Sequence, residues 1–339
     1  MLGKERMLKA LSGEPVDRLP VLCVNQTATY EQMEQLDTYW PEANFQAPEM
    51  ARLASGAQSI LGFDAVRVPF CQTIEAEALG CTLKDGGKTG LPSPKEHPYK
   101  VGEEPEFPED FINRGRIPCL IEAVRLLKEM VGDRALVIGG IIGPFSIAGS
   151  LIGVTELLKH SFRKPHLIQP FLAAGEKAGR LLAAELVAAG ADAICIEDMM
   201  ASLDMISPKI YRDVVLPWQS KLMEGLREIP TIMHICGKLD DVIDDVAGLG
   251  VTAISVEDKV DAPAALEKLS RYDRFIALIG GVNAVHTLFS GSVDKVAAEV
   301  KKAMAEGYHM IAPGCSIPPA TPVAALRAMV ETVEQNYGL

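Results

Sequence analysis

The sequence predicts an α/β fold of the (β/α)8 barrel class. Three observations carry this: eight short apolar runs, helical periodicity between them, and no Gly-x-Gly-x-x-Gly following any run. Strand and helix alternating to a count of eight is the barrel pattern. The missing glycine fingerprint weighs against a doubly wound open sheet.

The elements follow in order. The charged N-terminus, Met1-Leu2-Gly3-Lys4-Glu5-Arg6, reads as a helix before the first strand, with no apolar signal core behind it. The runs are Pro20–Val24, Ala65–Pro69, Leu136–Ile142, Ala193–Glu197, Thr231–Ile235, Ala253–Val256, Phe275–Ile279 and His309–Ala312. Most are rich in Val and Ile and unbroken by polar residues, as strands buried on both faces should be. Helical periodicity covers 165–189. Ser207-Pro208 opens another helix with a cap and a first-turn proline. Ser292 and Thr321 are expected to cap helices running to Glu306 and Gln335, and Gly190, Gly250 and Gly307 to end helices. Lys84–Pro108, rich in Gly, Pro, Lys and Glu, reads as a loop or hairpin insertion near the barrel mouth. Ala135 to Val154 has transmembrane length without a charge. Its glycines and Pro144 make it a buried strand, a loop and a helix start. The whole of 1–339 is expected to form one barrel domain.

With 339 residues, 48% of them hydrophobic, the chain can bury a large core. Net charge is −12 and no Lys/Arg block stands out, which argues against nucleic acid as a partner. Seven cysteines without a spacing framework point to reduced thiols and a cytoplasmic protein with no membrane association.

Met233-His234-Ile235-Cys236-Gly237 and Ala312-Pro313-Gly314-Cys315 each sit where a run ends. Barrel active sites are built at such strand ends. Residues two apart in extended backbone point the same way, so His234 and Cys236 can reach one ion. Cys315 supplies a third donor from the last run. One imidazole and two thiolates suit a zinc ion with an open coordination position. The other cysteines (Cys23, Cys71, Cys81, Cys119, Cys195) read as small core hydrophobes, and the remaining histidines as loop, helix or surface residues. Glu257, ending the sixth run, is a candidate fourth ligand; pairing with Lys259 is the competing role. Glu197 and Asp198 end the fourth run, placed to hydrogen-bond a substrate, orient a ligand or receive a proton; an ion pair with Arg67 or Lys238 competes. A zinc ion held by two thiolates and a neutral imidazole carries no net charge. It binds an incoming thiol as thiolate while leaving the sulfur nucleophilic. Thiol alkylation is therefore the natural chemistry, with hydrolysis through zinc-bound water as the rival.

The chain resembles the methylcobamide:coenzyme M methyltransferases of the uroporphyrinogen decarboxylase superfamily. The likeness runs almost end to end, through Leu11–Pro20, Ala65–Pro69, Arg114–Pro118, His234–Gly237, Ser255–Glu257, Ala312–Cys315 and Pro319–Pro322. It implies a TIM barrel whose zinc is held by His234, Cys236 and Cys315, with Glu257 able to complete the shell. It further implies methyl transfer from a methylcobamide carried by a small corrinoid-binding protein to a zinc-bound thiol, coenzyme M. Two departures touch the acceptor or corrinoid region: Gly280-Gly281 where a Gly-Asn pair is common, and an acid at Glu197. Together with Arg67 and Asp198 these positions, Gly281 included, are the expected cofactor-facing residues. The decarboxylases carry paired arginines after the first strand. Val24-Asn25-Gln26-Thr27 stands there instead, which disfavours a metal-free decarboxylase-like enzyme. A demethylase or methyltransferase working with another donor or acceptor on a corrinoid protein is the nearer alternative.

Overall fold

A computed structural model describes residues 1–339. Its strands are β1 (Ala65–Val68), β2 (Thr82–Lys84), β3 (Ser93–Glu96), β4 (Leu136–Ile142), β5 (Ala193–Glu197), β6 (Thr231–His234), β7 (Ala253–Ser255), β8 (Ala277–Val282) and β9 (Met310–Pro313). Seven of them form one parallel sheet in the order β1-β4-β5-β6-β7-β8-β9, curled as in TIM barrels. The expected strands reappear here within a few residues. The first run is the exception: Pro20–Val24 contributes a single bridge, Val21 to Ile311, rather than a strand. It still joins the two edges. Leu22 N–H donates to the Ile311 carbonyl, and Asp64 N–H donates to the Val21 carbonyl. Side chains, not a longer ladder, hold this seam. The buried Asp64 carboxylate accepts from Arg6, from Arg18 and from the Val21 amide at 2.6–2.8 Å. This accounts for Asp17-Arg18 in the sequence: Asp17 holds the other side of Arg6, tying the helix Gly3–Leu11 to the base of the sheet.

Strand alternation sorts the core. Ala65, Leu136, Ile138, Ala193, Cys195, Ile232, Ala253, Ala277, Ile279, Met310 and Ala312 pack inside the curl with Met7 and Leu11. Ile194, Ile196, Met233, Ile254 and Leu278 face the surrounding helices. The apolar 135–154 segment resolves into β4 and the helix Pro144–Ile152, both buried within the fold. No helix is long and apolar enough to cross a membrane. The insertion is the two-stranded hairpin β2–β3. Ser207 and Ser292 cap their helices as expected, accepting from the amides of Ile210 and Lys295. Thr321 does not: the last helix begins at Val323, and the Thr321 hydroxyl is buried without a partner. Pro322, lacking an N–H, occupies the cap position instead.

Candidate metal centre

The alternation that builds the core also places the donors. Ile232 and His234 point inward on β6, and Cys236 continues that side although the strand ends at His234. Gly237 then turns the chain at φ +74°, a conformation that disfavours any side chain. A Cβ there would also stand 2.3 Å from the Ser202 hydroxyl. At the end of β9, Gly314 N–H donates to the Val282 carbonyl. A Cβ on Gly314 would sit 3.0 Å from the Glu257 Cα, so glycine lets this loop lie on the chain leaving β7. That close approach brings Cys315 to Cys236.

The resulting trio is compact. Cys236 Sγ lies 3.3 Å from His234 Nε2 and 3.6 Å from Cys315 Sγ. All three donor atoms fall within 4.8 Å of one another. Tetrahedral zinc with ordinary bond lengths requires about 3.6 Å between N and S and about 3.8 Å between two S atoms. The donor set and its spacing fit that ion. His234 is fully buried, and its Nδ1 lies 3.0 Å from the Ser255 hydroxyl. With Nε2 ligating an ion, Nδ1 would carry the ring proton and donate to Ser255, which would fix both tautomer and ring angle. Ser255 is His234's register partner on β7. Removing such an outer partner costs about 10–100-fold in metal affinity. Ser255→Ala should weaken zinc binding by that factor in a chelator competition, and unchanged affinity would show that packing alone holds the ring.

The two thiols are coupled. The Cys236 hydrogen bond to Cys315, with help from the His234 ring, holds Cys315 below the ordinary thiol range. The same contact, burial and the nearby Glu257 charge push Cys236 well above it. The pair therefore loses one proton readily and the second only when a cation compensates. Cys23, Cys81 and Cys195 are a different case: burial pushes each thiol up to about 12, as expected of core residues.

Glu257 stands outside the trio, half-buried, its carboxylate 3.6 Å from the Lys259 ammonium. Glu197 follows Cys195 inward and is the register partner of His234. It pairs with Arg67, both fully buried, and also accepts from Asn25 Nδ2 at 2.9 Å and from Gln72 Nε2. Gly140 makes room for the guanidinium, because a Cβ there would lie 2.3 Å from Arg67 Nη2. Asp198, one residue on, turns to the outer layer. It accepts from the Ser146 amide and hydroxyl and from Gln219 Nε2 at 2.7–2.9 Å. Burial raises its carboxyl above the usual range. Gly281 also lies against the outer layer: a Cβ would meet Ala303 at 2.4 Å. So the structure gathers Arg67 and Glu197 beside the donors and leads Asp198 and Gly281 away from them. Ser255, Asn25 and Gln72 join the site, although the sequence assigned none of them a role there. Strand register with His234 was the available signal for Ser255 alone.

Known proteins bear on this site. The family model described as uroporphyrinogen decarboxylase (URO-D) matches residues 2–336. The chain is 37% identical over 335 residues to "Methylcobamide:CoM methyltransferase MtaA" of Methanosarcina barkeri, covering 98% of both. It is 36% identical over 337 residues to "Methylcobamide:CoM methyltransferase MtbA" of Methanosarcina acetivorans, again covering 98% of both. Among solved structures, a methyltransferase from Methanosarcina mazei superposes with a TM-score of 0.94 at 36% identity, over 99% of both chains. A B12-independent methionine synthase from Shewanella shares the fold, with a TM-score of 0.62 at 16% identity over 95% of this chain and 98% of that one.

Proposed function

The chain belongs to the uroporphyrinogen decarboxylase (URO-D) family, and from that premise we propose that it is a zinc-dependent methyltransferase moving a methyl group from a methylated corrinoid to a thiol. The observation that carries this reading is the imidazole and two thiols at tetrahedral spacing, at the ends of β6 and β9. Bound zinc would supply Lewis acidity, taking the proton's place on an incoming thiol at neutral pH. The chain's own residues do the rest. His234, Cys236 and Cys315 would hold the metal, and Ser255 would fix the ring that faces it. The relatives' names support a methylcobamide donor and put coenzyme M first among acceptors to assay. A small corrinoid-binding protein docking over the barrel mouth would present the donor.

Glu257 follows Ser255 and Val256 on the mouth side, close enough for its charge to act on Cys236. On this reading it would serve as a supplementary ligand to the metal rather than an obligatory one. Glu257→Gln should therefore lower resting zinc affinity only a few-fold. Complete loss of zinc would make it an obligatory ligand, and no change at all would leave it as the partner of Lys259.

The test of the reading combines zinc content with the loss of methylcobalamin absorbance, with and without coenzyme M and other thiols. One zinc per chain and thiol-dependent demethylation are expected. Equal turnover by zinc-stripped protein would refute it.

A further inference from the structure

Past Leu22 the first run no longer pairs with β9, yet contact across the seam resumes further along. Ile317 N–H donates to the Gln26 carbonyl at 3.0 Å, and Tyr30 N–H to the Pro319 carbonyl at 2.8 Å. The Gln26 side chain supplies the return bond. Its Nε2 donates to the Ile317 carbonyl at 2.7 Å and to the Ala28 carbonyl at 2.9 Å, while its Oε1 accepts from the Ala28 amide. Gln26 and Ile317 are therefore joined in both directions, as a hydrogen-bonded pair of strand residues would be. Gln26, Ala28 and Ile317 are each no more than 2% exposed, so bulk water does not replace these bonds. A carboxylate here would only accept and an ammonium only donate; the amide does both.

The clamp bears on the metal centre through chain distance. Ile317 stands two residues after the donor Cys315. On the other side, the N–H of Gly314, one residue before the donor, is held by the Val282 carbonyl at 2.8 Å. Cys315 thus hangs between a backbone bond and Gln26. Freed from the second anchor, two residues of chain span up to roughly 7 Å, whereas a metal donor must be held to within about 0.5 Å. The partner thiol of Cys236 lies only 3.6 Å away. Asn25, the preceding residue, turns instead to Glu197, the register partner of His234. One loop therefore reaches both sides of the trio.

Resting on the zinc reading above, we propose that Gln26 is a positioning residue for the metal: by clamping Ile317 it sets Cys315 within ligating distance of Cys236 and His234. It acts through the loop and not on the reacting atoms.

The experiment measures zinc affinity by chelator competition in the unaltered protein, in Gln26→Met and in Gln219→Met, alongside circular dichroism and denaturant midpoints. Gln219 is an equally buried amide on the outer layer, bonded to Tyr211 and Asp198. Both variants should lose stability. Only Gln26→Met should lose zinc affinity, by about tenfold or more, within the range for outer partners of a metal. Unchanged affinity in folded Gln26→Met overturns the proposal. Equal losses of affinity in the two variants overturn it as well, since Gln26 would then contribute to general stability alone. If Gln26→Met does not fold, hydrogen exchange on the unaltered protein decides. Coupling between clamp and metal is reciprocal, so zinc should slow exchange of the Ala28 amide by about tenfold or more, and an equal rate with and without zinc overturns the proposal. An unaltered protein that binds no zinc brings down the underlying reading, and this one with it.

Discussion

Cys236→Ser is expected to lower zinc affinity by well over about 100-fold, since an outer partner alone costs 10–100-fold. Thiol-dependent demethylation should vanish with the metal. The fold should not. Cys236 lies beyond the end of β6, half-buried, while the neighbours that hold the strand in place, Met233 and Ile235, are fully buried on the opposite face. Circular dichroism and the thermal midpoint of metal-free protein should therefore match the unaltered chain. Cys315→Ser should behave alike, because its loop is anchored by the Gly314 amide rather than by the thiol. A Cys236→Ser protein that retains zinc and full activity would remove the trio from the chemistry.

Glu197→Ala should destabilise the protein by about 3–5 kcal/mol, the range for stranding one member of a buried ion pair. Arg67 would remain inside the curl of the sheet with its Pro69 carbonyl contact and no directly paired carboxylate. The side-chain amides of Asn25 and Gln72 would lose their acceptor at the same time. Denaturant midpoints measure the loss. Replacing both charges together, as Arg67→Met with Glu197→Leu, should recover much of it, because well-packed apolar side chains avoid the desolvation cost of the pair. A drop below about 1 kcal/mol for Glu197→Ala would mean that water reaches the pair.

The sheet and the three donors were legible because they rest on periodicity and on strand ends. Ala193–Glu197 and Leu136–Ile142 coincide with β5 and β4, being apolar runs bounded by an aspartate or glycine. What escaped depends on partners remote in sequence. Pro20–Val24 looks like a strand by composition, but proline at its start and the Asp64 network limit it to one bridge. Thr321-Pro322 looks like a cap followed by a first-turn proline, yet the helix starts one residue later and leaves the hydroxyl unused. Glu197 and Asp198 read as one acidic pair. Period-two alternation sends them to opposite faces, so only Glu197 belongs beside the donors. Gln72 carries no motif, and its role depends on a carboxylate 125 positions away.

The separation of the donors has a consequence for how the enzyme is made. His234 and Cys236 are neighbours in the chain, but Cys315 is 79 residues further on and leaves the last strand of the sheet. A nascent polypeptide exposes two donors long before the third exists. A chain ending before residue 315 would offer only two of the three donors. A metal held by all three donors would therefore report that the final strand of the sheet has docked.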